Sequence, residues 1–137
     1  MSVATESAAD AARTAASGDT ILSVNELVVE FPRPGKPTDF RAVNGVSFDL
    51  RQGETLGLVG ESGSGKSMTA LSLLGIVPAP GKIIEGSISL RDRRIDNLPV
   101  KDLRKVRGND IGMVFQDPMT GLNPVRSVGA QLIESVM

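Results

Sequence analysis

Gly60-Glu61-Ser62-Gly63-Ser64-Gly65-Lys66-Ser67 meets every fixed position of the pattern G-x-x-x-x-G-K-S/T. A triphosphate presents closely spaced negative oxygens. Consecutive backbone N–H groups that end at a helix N-terminus offer it donors and partial positive charge at no side-chain entropy cost. Gly60, Gly63 and Gly65 keep side chains out of that approach and permit positive φ. Lys66 is expected to reach the β and γ phosphates. The Ser67 hydroxyl is placed for Mg²⁺, whose octahedral shell phosphate oxygens and waters can complete. With the backbone N–H of Met68, residues Gly60 to Ser67 form the candidate site for ATP and Mg²⁺.

The motif is expected between a strand and a helix. Leu22, Val24, Leu27, Val29 and Phe31 read as a first strand from Ile21, with one irregularity near Asn25-Glu26. Pro32 to Pro37 is a turn-rich break. Val43, Val46, Phe48 and Leu50 mark a second strand, and Glu54 to Val59 a third that feeds the motif, so an antiparallel unit is expected. Ser67 to Leu74, apolar nearly all round, predicts a helix against a sheet, stopped by Gly75 and Pro78. Ser87 to Leu90 reads as a short strand, Pro99 to Arg107 as a charged surface helix, and Asp110 to Phe115 as a further strand. An apolar-periodic helix from Val125 or Val128 runs to the end of the sequence without a stop signal. Residues 1–20, rich in alanine, serine and threonine, read as a disordered tail.

Composition narrows the chemistry. Fifteen lysines and arginines stand against 16 aspartates and glutamates, so no global field attracts nucleic acid or an anionic bilayer. The basic stretch Arg91 to Arg107 is interleaved with Asp92, Asp96 and Asp102 and lacks stacking aromatics, which favours a solvated face over a nucleic-acid site. With neither cysteine nor histidine, disulfides, zinc chemistry and a Ser/His triad are excluded. No apolar run approaches the roughly 20 residues of a membrane span, so the expectation is a soluble chain that lies in or faces the cytosol.

Three blocks carry a family resemblance. Ala42-Val43-Asn44-Gly45-Val46-Ser47-Phe48 and Gly53 to Ser67 resemble the second strand and Walker A region of ABC transporter ATP-binding subunits. Ile111-Gly112-Met113-Val114-Phe115-Gln116-Asp117-Pro118-Met119-Thr120-Gly121-Leu122-Asn123-Pro124 is similar to the Q-loop in its dipeptide and oligopeptide importer form. The resemblance implies an α/β P-loop NTPase (ABC ATPase) fold, incomplete, with an N-terminal antiparallel β unit and a truncated helical subdomain. It divides the chain into the tail, residues 21–115 as the N-terminal part of the nucleotide-binding domain, and residues 116–137 as the Q-loop and the start of the helical subdomain.

By the same resemblance Gln116 reaches Mg²⁺ and the attacking water beside Lys66. Phe31 is the first candidate, and Phe40 the second, for the aromatic that stacks on adenine. Met68 stands where many members carry a hydroxyl, and Gly121 where serine is usual. These 137 residues hold no L-S-G-G-Q signature, no apolar strand ending in Asp-Glu and no switch histidine. The implied protein is an ATPase that energises import of peptides or related small solutes. It would sit at the cytoplasmic face of the membrane through transmembrane permease subunits, paired with a second ATPase subunit, while this stretch alone is expected to be inactive. The other reading is a non-hydrolysing nucleotide-binding or interaction module that ends naturally at Met137.

Overall fold

Leu22 and Val24 lie at even positions and Leu27 and Val29 at odd ones, a slip of phase that one extra strand residue must absorb. The computed structural model describes residues 19–36, 39–115 and 123–136, and it places that residue in a bulge within β1 (Thr20–Phe31). Both ladders on β1 shift there, between Val24 and Leu27 on one side and between Asn25 and Val28 on the other. Glu26 takes φ 44°. Its N–H donates to Ser47 Oγ at 2.8 Å, and that hydroxyl donates back to Glu26 Oε1 at 2.8 Å. The bulge thereby keeps all four apolar side chains buried.

Strand β1 is flanked by β2 (Phe40–Arg51) and β3 (Lys82–Leu90), with β4 (Arg93–Arg94) beyond β3; the order is β2-β1-β3-β4 and every pairing is antiparallel. β1 and β2 are the first two strands of the expected antiparallel unit, and β3 and β4, from beyond the motif, complete the sheet. β3 begins five residues before the Ser87 start expected from alternation, because Ile83 and Glu85 also pair with β1. Arg91 and Asp92, at φ 46° and 65°, make the two-residue turn between β3 and β4.

The hairpin is fastened by Asp96, whose side chain is only 7% exposed. Its carboxylate accepts from the Ile88 N–H at 2.8 Å and from Arg94 Nε and a terminal nitrogen at 3.0 and 2.8 Å. Ile88, fully buried, gives its carbonyl to the Ile95 N–H at 2.8 Å, so neither of its backbone groups is left unpaired.

Among the described residues the helices are α1 (Lys66–Leu73), between β2 and β3, and then α2 (Val100–Val106) and α3 (Val128–Val136). The core gathers Leu22, Val24, Leu27, Val29, Val43, Ile88 and Ile95, with Met68 and Leu73 of α1 packed against it. Within α1 the buried positions are Thr69 and Ser72 rather than the leucines. Their hydroxyls stay satisfied by donating to Gly65 O at 3.0 Å and Met68 O at 2.7 Å. No helix among the described residues is long and apolar enough to cross a membrane.

Two expected strands are not strands. Glu54 to Val59 and Gly112 to Phe115 have no ladder, and Ile111 makes only an isolated parallel bridge to Arg107. A strand needs a hydrogen-bonded neighbour, and neither stretch has one among the described residues. Val59 and Val114 are accordingly 97% and 96% exposed. Residues 1–18 of the expected tail lie outside the described residues, as does Gln116.

Asp96 also yields a test. Burial alone would raise its pKa, but the hydrogen bonds from Arg94 and the Ile88 N–H, with the charge of Arg94, hold it below the usual carboxylate value. A lowered folded pKa means stability that is present above the ordinary value near pH 4 and lost as pH falls through it and below. Asp96→Asn should cost about 1–3 kcal/mol in urea unfolding at pH 7 and flatten the acid limb of stability against pH. An unchanged acid limb would count against this account.

Candidate functional site

The loop before α1 turns on two left-handed glycines, Gly63 at φ 81° and Gly65 at φ 90°. Gly65 is also the N-cap of α1, and no side chain caps that end. The first intrahelical bond is Thr69 N–H to Gly65 O at 2.8 Å. The N–H groups of Lys66, Ser67 and Met68 therefore have no partner within the helix, which is the arrangement that receives an anion.

Space at this end is fixed by backbone. A Cβ on Gly65 would collide with the carbonyl oxygen of Ala42 on β2, so helix and strand approach as closely as two main chains can. Gly60 contributes room rather than positive φ, since a Cβ there would sit 2.5 Å from Ser64 Oγ. Lys66 Nζ donates to Gly60 O and Glu61 O, each at 2.7 Å, and to Ser64 Oγ at 3.2 Å. The ammonium is held at the mouth of the loop by the loop's own carbonyls.

Phe40, Ala42 and Gly63 to Met68 line an open cavity of about 230 Å³. The cavity is open, so a ligand larger than its walls would project outward. Ser67 is exposed at the rim. Among the described residues no group of three His, Cys, Asp or Glu side chains could hold a metal. A magnesium ion here would rest on the Ser67 hydroxyl and oxygens of the ligand, and this donor set suits it.

Of the residues expected from sequence, the structure thus brings Gly63 to Met68 onto one cavity, with Gly60 and Glu61 holding Lys66 beside it. Ser62 is an exposed turn residue of the same loop. Phe31 is not in the lining. It packs against the core, and its ring lies over Gly81, where a Cβ would come within 2.5 Å of it. Phe40, paired with Phe31 across the β1–β2 ladder, is 50% exposed and faces the cavity. Ala42 was not foreseen, because its contribution is a main-chain carbonyl that no side-chain pattern reports.

The family model described as ABC transporter matches residues 43–134. The chain is 52% identical over 119 residues to the oligopeptide transport ATP-binding protein OppD of Escherichia coli (strain K12), covering 87% of this chain and 34% of that protein. It is 49% identical over 116 residues to the oligopeptide transport ATP-binding protein AppD of Bacillus subtilis (strain 168), covering 84% and 35%. With the dipeptide transport ATP-binding protein DppD of the same organism it shares 46% over 120 residues, covering 87% and 35%. The chain spans about a third of the length of these curated relatives.

Gly53 separates the two effects of a methyl group at Gly65, since it shares the positive φ, at 78°, but has nothing within 4 Å of its Cβ. Gly53→Ala should cost only the left-handed strain, about 1–2 kcal/mol. Gly65→Ala should cost more and remove nucleotide binding, read by thermal unfolding and equilibrium titration. Equal losses in the two variants would show that the Ala42 contact does not hold the loop.

Proposed function

The chain belongs to the ABC transporter family, and from that premise we propose that it binds Mg-ATP through Gly60 to Met68 as part of an ATPase that drives solute import. The cavity floored by the backbone of Gly63 to Met68 at the start of α1, with Lys66 beside it, carries this reading. Lys66 exchanges its loop carbonyls for β and γ phosphate oxygens, and unpaired N–H groups receive the rest of the negative charge. When bound, Mg²⁺ would neutralise phosphate charge from the side of Ser67. Gln116 orients water through an amide that does not titrate.

Phe40 is the better placed of the two aromatics for the adenine ring. It is half exposed at the cavity, whereas Phe31 is engaged with Gly81 and the core.

Peptides or related small solutes are the proposed cargo, supported by the Gln116 to Pro124 block and by the printed names of the relatives. Transmembrane permease subunits and a second ATPase subunit are the proposed partners, and they would place the protein at the inner face of the membrane. Hydrolysis needs a positioned water and a charge-stabilising partner loop. The sequence of 137 residues has neither the acidic strand end nor the signature, so we assign those parts to the remainder of a longer subunit.

Lys66→Ala should weaken Mg-ATP binding about 10- to 150-fold, the equivalent of roughly 1.5–3 kcal/mol for hydrogen bonds to a charged group. Phosphate release by the 137-residue chain should stay at background while the full-length subunit turns over. Turnover by the short chain at a transport ATPase's rate would overturn this assignment. A stop codon directly after Met137 would leave the non-hydrolysing reading in its place.

Phe40→Ala should weaken ATP about 5- to 150-fold, in line with ~1–3 kcal/mol for stacking one base, and leave inorganic triphosphate affinity unchanged. Loss of both ligands alike would mean that Phe40 shapes the loop instead of meeting the base.

A further inference from the structure

Arg107 belongs to none of the motifs above, yet its side chain closes the far end of the phosphate-loop helix. Two of the last carbonyls of α1 are satisfied locally, Gly75 N–H to Ser72 O at 2.9 Å and Ile76 N–H to Leu71 O at 3.0 Å, with Gly75 at φ 61°. The Leu74 and Gly75 carbonyls are left over. Arg107 takes both, with Nε donating to Leu74 O at 2.7 Å and a terminal nitrogen to Gly75 O at 2.9 Å.

Arg107 is itself fastened at its own place in the chain. Its N–H donates to Leu103 O at 3.0 Å at the end of α2, and it pairs with Ile111 in the isolated bridge. Leu103 adds an apolar contact to the same joint, since a Cβ on Gly75 would sit 2.9 Å from its Cδ1. One guanidinium thus joins α1, α2 and the segment that runs from residue 107 to Phe115, one residue before Gln116 in the sequence.

We propose that Arg107 is a positioning residue of the nucleotide site, setting the angle of α1, and so of its phosphate loop, against the 107–115 segment. This rests on the reading that the loop holds Mg-ATP and that the full-length subunit hydrolyses it. A helix of eight residues relies on tertiary packing more than on its own bonds. Its two ends are fixed differently, the first by the Gly65 and Ala42 backbones and the last by the guanidinium together with buried Leu74 and the Leu103 contact.

Charge is the lesser part of the effect. At about 1.5 Å per residue the phosphates lie roughly 12 Å from the far end of α1. Over that distance a charge acts weakly and without direction beside a direct hydrogen bond. The planar fork matters more, because it makes both bonds at a fixed angle, whereas a lysine supplies a point charge. Phosphate binding is local to the loop and should tolerate a small tilt of α1. Attack on the γ phosphate depends on elements that α1 and the 107–115 segment must hold in register.

The test uses the full-length subunit with its permease partners and measures ATP affinity, kcat and melting temperature for Arg107→Met and Arg107→Lys. Leu103→Ala serves as a control that loosens the same joint and spares the guanidinium. Misplacement of about 1 Å can cost about 100-fold in rate, so Arg107→Met should lower kcat at least about tenfold while ATP affinity stays within about threefold. Arg107→Lys, which keeps the charge and a donor, should recover part of kcat. Unchanged kcat in both variants would overturn the proposal. So would an equal loss in Leu103→Ala at a matched melting temperature, or affinity and kcat falling together. Failure of the underlying reading would show separately, as absence of ATP turnover in the unsubstituted subunit.

Discussion

Between Gly65 and the Ala42 carbonyl there is no room for a side chain, and the placement of the phosphate loop depends on that contact. It brings the N-terminus of α1 against β2 at a separation that only main chain can reach. The first helical turn, whose N–H groups have no partner within the helix, then lines the cavity beside Phe40. A methyl group at position 65 would both strain the backbone and push the helix off the strand. The glycine is therefore a spacing device as much as a turn residue.

That contact is only as firm as β2, and β2 is held on one side, by β1. The bulge at Asn25-Glu26 keeps the β1 leucines and valines in the core across a change of phase, and Ser47 of β2 fastens it through reciprocal hydrogen bonds with Glu26. On the opposite side of β1, Gly86 allows β3 to come close to the Asn25 and Glu26 carbonyls. Asp96 secures the hairpin that follows. The sheet thus presents a stable edge to the loop, with no buried side-chain nitrogen or oxygen left unpaired among the described residues.

Large apolar side chains elsewhere face outward: Val59 just before the loop, Val114 and Phe115 beyond Ile111, and Leu132 and Ile133 on α3. A parallel sheet is normally covered on both faces and its strands read as continuous apolar runs. Leu56 to Val59 and Gly112 to Phe115 have that character without neighbours among the described residues that would pair them. Relatives about three times as long have the chain to supply such neighbours.

Much of this was legible in the residues. The glycine and lysine spacing of the octapeptide pointed to a phosphate cradle because only a few residue types let a backbone approach an anion. The slip from Leu22 and Val24 to Leu27 and Val29 located the bulge because side chains alternate along a strand with a period of two. What the sequence could not decide were relations between main-chain atoms and between distant segments. The Ala42 carbonyl has no side-chain signature, only packing shows that the core and Gly81 engage Phe31 while Phe40 lines the cavity, and the partners of Arg107 lie 32 and 33 residues away. Strand character at 54–59 and 110–115 belongs with these, since an apolar run states a readiness to pair while a ladder requires a neighbour in place. Local chemistry belongs to the sequence, and the closeness of one backbone to another is decided only by the packed chain.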